Sequence, residues 1–195
     1  MKKVLALVAV AGLASIATAQ TAIVRTTANG AASATIPLGG TATIAVTIAH
    51  NQFSVAGIQG GSIISGNAGT AGNFATSIPA GALVVLGSFS GGSRTGVDIA
   101  FTPPGFTGGF AVPPSGTNPM PVFTYAITGL AVGVYTINWV SPSTAPNVRL
   151  YASATSFSFV EAASTYTGAT ITVIPAPASL ALVGLGGLVA GRRRR

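Results

Sequence analysis

Between Thr41 and His50 the chain reads TATIAVTIAH, and the alternation in it is strict. Ile44, Val46 and Ile48 fall on one side of an extended backbone, with Thr43, Ala45 and Thr47 on the other. A period of two is what a half-buried strand requires, and it is incompatible with an amphipathic helix, whose apolar positions recur every three or four residues. The pattern returns in GVDIAF (Val97, Ile99, Phe101), PVFTYAIT (Phe123, Tyr125, Ile127), GVYTINWV (Tyr135, Ile137, Trp139) and TGATITVI (Ala169, Ile171, Val173). AIVRTT, FSVAGIQGGSII, ALVVLGSF and VRLYASATSFSFV complete the set of predicted strands, which Gly, Pro, Asn and Ser clusters separate. Gly and Thr displace the good helix formers in the body of the chain. The expectation is an all-β chain, a single antiparallel β-sandwich of jelly-roll or Ig-like type over residues 20–174.

The two ends do not share this pattern. Lys2 and Lys3, the apolar run Val4–Ile16 and the small-x-small triplet Ala17-Thr18-Ala19 before Gln20 have the order of a secretory signal peptide over residues 1–19. The mature chain is expected to begin at Gln20. At the other end, Pro175-Ala176-Pro177 precedes a short apolar run from Ala178 to Gly191, closed by Arg192, Arg193, Arg194 and Arg195. As a helix that run is about 21 Å long, against a hydrocarbon core of roughly 30 Å. Four arginines after it favour a cytoplasmic C-terminus and leave the body on the outer side, a topology the signal peptide also requires.

Charge excludes several functions once the ends are set aside. Lys2, Lys3 and Arg192–Arg195 account for six of the nine Lys and Arg, leaving Arg25, Arg94 and Arg149 against Asp98 and Glu161. Three scattered arginines do not form the basic face that phosphate neutralisation needs, so nucleic acid is not an expected partner. Cysteine is absent, which removes disulfides, thiol catalysis and thiolate metal ligation. A catalytic triad on paper would combine His50, Asp98 and a serine, yet no G-x-S-x-G elbow is present, and Asp98 and Glu161 are the only two carboxylates for glycosidase chemistry. Too few carboxylates exist for a high-affinity calcium site. No catalytic residue, metal or cofactor is therefore expected. Two segments are read as loops: Ser65–Asn73, rich in Gly and Asn, and the proline-rich stretch Pro103–Pro121.

The tail's ordered parts, a Pro-x-Pro motif, a Gly/Leu-rich apolar helix and a terminal arginine cluster, resemble the PEP-CTERM sorting domain. The resemblance covers residues 175–195 and implies recognition by exosortase, an integral-membrane cysteine enzyme resembling a transpeptidase, in Gram-negative-type bacteria that make extracellular polysaccharide. Pro175 and Pro177 match the family's two prolines and Arg192–Arg195 its basic end, while Ala176 stands where the family has Glu. The body is similar in rhythm to cohesin-like sandwiches, on ATIAVTIAHNQFSVAGIQGGSII followed by VFTYAITGL. That likeness implies a jelly-roll-like sandwich used in extracellular adhesion or matrix assembly.

These readings converge on an exported, non-enzymatic cell-surface or matrix β-sandwich, anchored transiently in the inner membrane by its C-terminal helix and sorted by an exosortase-like enzyme. Extracellular polysaccharide and self-association are the further partners considered, the latter because few charges guard the sheet edges. The alternatives are a cohesin-like adhesion module and a carbohydrate-binding module in which Trp139, Tyr125 and Tyr135 stack on sugars. Their shared parity with Phe123 and Ile137 places these three in the core instead. A small secreted hydrolase is the remaining reading.

Overall fold

The computed structural model describes residues 19–78, 82–101, 103, 117–141 and 148–176. The expected signal peptide up to residue 18, including Ala17, most of the 103–121 segment, and the tail from Pro177 through Arg192–Arg195 lie outside the described residues.

Among the described residues the regular structure is β apart from one 3-10 turn at Ser65–Asn67. The strands are β1 (Thr21–Ala28), β2 (Ser33–Pro37), β3 (Ala42–His50), β4 (Ser54–Ile64), β5 (Thr70–Thr76), β6 (Leu83–Val85) and β7 (Ser88–Ser90). They continue with β8 (Ser93–Ala100), β9 (Met120–Thr128), β10 (Gly133–Val140), β11 (Val148–Tyr151), β12 (Val160–Glu161), β13 (Ala163–Thr167) and β14 (Ala169–Ile174). Two sheets form a sandwich. The smaller has the order β13-β1-β3-β9-β5; the larger runs β12-β11-β4-β10-β14-β2 and adds β8, β6 and β7 beside β4.

Three strands pair with β4, which has only two edges. β8 occupies one, from Gly57 to Ser62, a span that overlaps the contacts of both β11 and β10. β10 and β11 therefore follow one another along the opposite edge, as one antiparallel course interrupted between Val140 and Val148.

Pairing is antiparallel except at β1–β13 and β2–β14, which are parallel. The cause is a double crossover. β1 and β2 belong to different sheets and are joined by a tight turn in which Asn29 and Gly30 both have positive φ (51° and 79°). β13 and β14 switch sheets at Gly168, where a Cβ would run into the Asn138 side chain and lie 2.5 Å from the Ile137 carbonyl oxygen. The first and last segments thus lie side by side through both sheets in the same direction.

The alternation read from the sequence sets the core. Ile44, Val46 and Ile48 are buried, as are Val97, Ile99 and Phe101, Phe123, Tyr125 and Ile127, Ile137 and Trp139, and Ala169, Ile171 and Val173. Tyr135 is only partly buried, packing at the margin of this core. Between the sheets lies an aromatic cluster in which Phe123 stands 5.4 Å from Phe74, 6.0 Å from Tyr125 and 6.2 Å from Trp139, centroid to centroid. Arg94 enters it from β8. Its guanidinium carbon is 4.3 Å from the ring centroids of both Phe74 and Phe89, so two ring faces replace the water that a buried cation gives up. Burial lowers its pKa, and the Tyr125 phenol opposes that shift.

The segment expected to be a loop at Ser65–Asn73 is instead the 3-10 turn followed by β5, an edge strand. Its pairing with β9 shifts register between Gly72 and Ala75, with Asn73 at φ 51°. A bulge breaks the two-residue period, which is why Phe74 reaches the core without any alternation to announce it. VRLYASATSFSFV is likewise not one strand: β11 and β12 hold its ends, with turns between.

Candidate functional site

The outer face of the larger sheet carries an open groove. On β4 and β8, Gln59 pairs with Asp98, and the Gln59 Nε2 amide donates to Asp98 Oδ2 at 2.8 Å. Beside this pair lies an open groove of about 430 Å³ lined by Gly60, Gly61, Ile63, Thr95, Val97 and Val140 among others. Glycine is required at its floor. Gly60 has φ +147°, and a Cβ there would sit 2.5 Å from the Val140 carbonyl oxygen and 2.6 Å from Trp139 Nε1. A Cβ on Gly61 would run into the Arg94 carbonyl oxygen. The β4–β8 register shifts between Gly60 and Ser62, a bulge that turns the strand around the indole. Val140 on the lining is 49% exposed, and on the neighbouring β6 Val85, opposite Asp98, and Leu83, opposite Ala100, are 54% and 69% exposed. Large exposed aliphatics beside one satisfied polar pair are the composition of an interaction surface.

The structure does not bring the residues considered for hydrolysis together. His50 ends β3 in the smaller sheet, its Nδ1 2.8 Å from the Gln52 carbonyl oxygen and its main chain bonded to the Asn118 side chain. Asp98 belongs to the larger sheet and is engaged by Gln59. Glu161 stands on β12 opposite Arg149. Among the described residues no group of three His, Asp or Glu side chains gathers where an ion would be held. The aromatics offered for sugar stacking are core residues in two cases: Trp139 is 3% exposed and Tyr125 1%. The Tyr125 hydroxyl donates to Ser62 Oγ at 3.1 Å and lies 3.4 Å from the Gly92 carbonyl oxygen, and burial pushes its pKa up to about 12. Tyr135 bonds the Ala131 carbonyl oxygen.

Of the residues assigned to export and sorting, four are described. Asn51 clamps the start of the domain, its Nδ2 donating to the Ala19 carbonyl oxygen and its Oδ1 accepting from the Thr21 amide. The Gln20 carbonyl oxygen accepts from the Ala163 amide. Pro175 and Ala176 directly follow β14. No described helix is long and apolar enough to cross a membrane.

No family model and no curated protein matches the sequence. Solved structures do match in shape. The solution structure of CaCohA2 from Clostridium acetobutylicum superposes with a TM-score of 0.51 over 78% of this chain and 90% of its own, at 12% identity. The fold is cohesin-like. A cohesin module from a Clostridium perfringens family 33 glycoside hydrolase matches at TM-score 0.46 and 8% identity, covering 79% of this chain and all of its own. The third ScaB cohesin of R. flavefaciens, solved in complex with a group 1 dockerin, matches at 0.43 and 14%, over 83% and 99% of the two chains.

The sequence reading missed the groove and a second feature. Gly60 and Gly61 stand in the quoted phrase GIQGGSII, and their adjacency within a strand is itself a signal of close backbone approach. Phe157 and Phe159, read as strand residues, are 69% and 48% exposed.

Proposed function

We propose that this chain is an exported, non-catalytic module of the cell surface or matrix that binds a protein partner through the outer face of its larger sheet. The observation that carries this reading is the glycine-floored groove at Gln59–Asp98, with Val140 exposed on its lining and Val85 and Leu83 exposed on the neighbouring β6. Covering these exposed aliphatics removes apolar surface from water, while the central amide–carboxylate pair fixes register with polar groups of the partner. A face-specific photo-crosslinking experiment tests it. A crosslinker at Gln59 should trap a defined polypeptide from the extracellular fraction of the source cells, and one at Thr43, exposed on the opposite sheet, should not. Equal trapping from both positions refutes the assignment.

Delivery is part of the same reading: a signal peptide ending at Ala19 and a PEP-CTERM-like tail processed by an exosortase-like enzyme near Pro175–Pro177. The intact mass of the protein from its native cells reports both ends at once. A mass corresponding to the uncut chain, residues 1–195, excludes both processing steps.

A further inference from the structure

A second hollow, of about 420 Å³, lies where β11 and β12 leave the larger sheet, and Ala56, Ala100, Arg149, Tyr151, Phe157 and Phe159 line it. Gly57 sits between Ala100 and Arg149 in the strand register, so no side chain fills the space between them. Phe157 and Phe159 are held out to solvent by a turn that is pinned locally. The Ser153 amide donates to Ser156 Oγ at 3.0 Å, the Ser156 amide to the Ser153 carbonyl oxygen at 3.2 Å, and the two hydroxyls lie 3.0 Å apart. The Arg149 guanidinium carbon lies 5.1 Å from the Phe159 centroid, and its buried Nε has no hydrogen-bond partner. A buried donor left unmet is a position at which an acceptor is favoured.

We propose that Arg149, Phe157 and Phe159 form a binding site for an acidic saccharide, a pyranose bearing a carboxylate. The guanidinium fork donates two parallel hydrogen bonds to a carboxylate. The ring of Phe157, exposed over most of its surface, is a platform for the apolar C–H face of a sugar. Ser158, on the lining beside Phe157, supplies a hydroxyl that suits a polyhydroxylated ligand. A peptide anchor would need an enclosed, dry pocket, and an aromatic ring 69% exposed does not provide one. Glu161 faces Arg149 across the β11–β12 register and weakens the site for anions. Its removal should therefore strengthen binding.

Affinity electrophoresis of the full chain in gels containing polygalacturonate, dextran or polyglutamate tests this. Polygalacturonate should retard the protein, and dextran should not. Phe157→Ala and Arg149→Gln should each weaken the interaction about tenfold, a typical loss for one ring contact or one charge-assisted pair. Phe157→Tyr should retain it and Glu161→Gln should tighten it. Asp98→Asn, in the groove of the protein-binding reading, should leave it unchanged, so the two sites fail separately. Absence of retardation by polygalacturonate, equal retardation by dextran, equal retardation by polyglutamate, or indifference to Phe157→Ala overturns the proposal.

Discussion

Replacing Gly60 by alanine puts the junction between core and groove under direct test. Two costs combine at this position. The backbone at φ +147° is one that L-residues rarely adopt, and the added Cβ would lie 2.5 Å from the Val140 carbonyl oxygen and 2.6 Å from Trp139 Nε1, with the indole Cε2 at 2.7 Å. Backbone strain of this kind costs about 1–3 kcal/mol, and forcing a methyl into a filled site costs about 1–3 kcal/mol more. A loss of about 3 kcal/mol is expected, because the sheet can relax partly at the existing bulge. For a domain of this size that lowers Tm by about 6–12 °C. Gly66→Ala is the control: φ is +71° but nothing lies within 4 Å of its Cβ, so only the left-handed penalty of about 1 kcal/mol applies. Trp139 is the sole tryptophan, so its emission during chemical unfolding reports both stability and the local packing change. Gly60→Ala should unfold earlier than Gly66→Ala and shift native emission to the red. Equal stabilities with unchanged emission would refute the close packing of indole against Gly60.

Four further outcomes are expected. Native Trp139 emission should be blue-shifted and resistant to iodide, with no change on adding neutral sugars; ready quenching would return Trp139 to the surface and revive the stacking reading. Tyr125 has a folded pKa raised from 10.0 to about 12, chiefly by burial, with its bond to Ser62 and the charge of Arg94 opposing the shift. The folded state therefore holds this proton more tightly than the unfolded one, so its stability contribution is intact below about pH 10 and lost as pH rises towards 12. Tyr125→Phe should flatten that alkaline decline while costing about 1 kcal/mol at neutral pH from the lost hydroxyl bonds, checked by urea unfolding at pH 7 and 11. The body should self-associate at high concentration because its sheet edges carry few charges, and a monomer by sedimentation in both low and high salt would contradict this. Substituting Arg192–Arg195 with serine should yield a secreted protein with an uncut C-terminus, whereas alanine at Pro175 and Pro177 should leave an uncut membrane protein; trimming at the normal position in both variants would remove the sorting assignment.

The inner faces of both sheets were legible because burial on one side of a strand enforces a period of two, and Ile44-Val46-Ile48 or Ala169-Ile171-Val173 can satisfy that period only as strands. The same rule placed Trp139 and Tyr125 in the core. It has no purchase where the period breaks, so the bulged β5 read as a loop, and β13, with its sequence ASTYT, offered no apolar side to detect. Pairing partners were also beyond it. Parallel alignment of β1 with β13 and β2 with β14 depends on two crossovers meeting at Asn29–Gly30 and Gly168, which are distant in sequence and adjacent only after folding. The groove and the aromatic hollow belong to the same class. Gln59 meets Asp98 across 39 positions of chain, and Phe159 meets Arg149 only because a serine-pinned turn brings β12 back beside β11. Local alternation fixes which side chains leave water; which polar and aromatic groups then share a surface is decided by strand order, through contacts that no local pattern encodes.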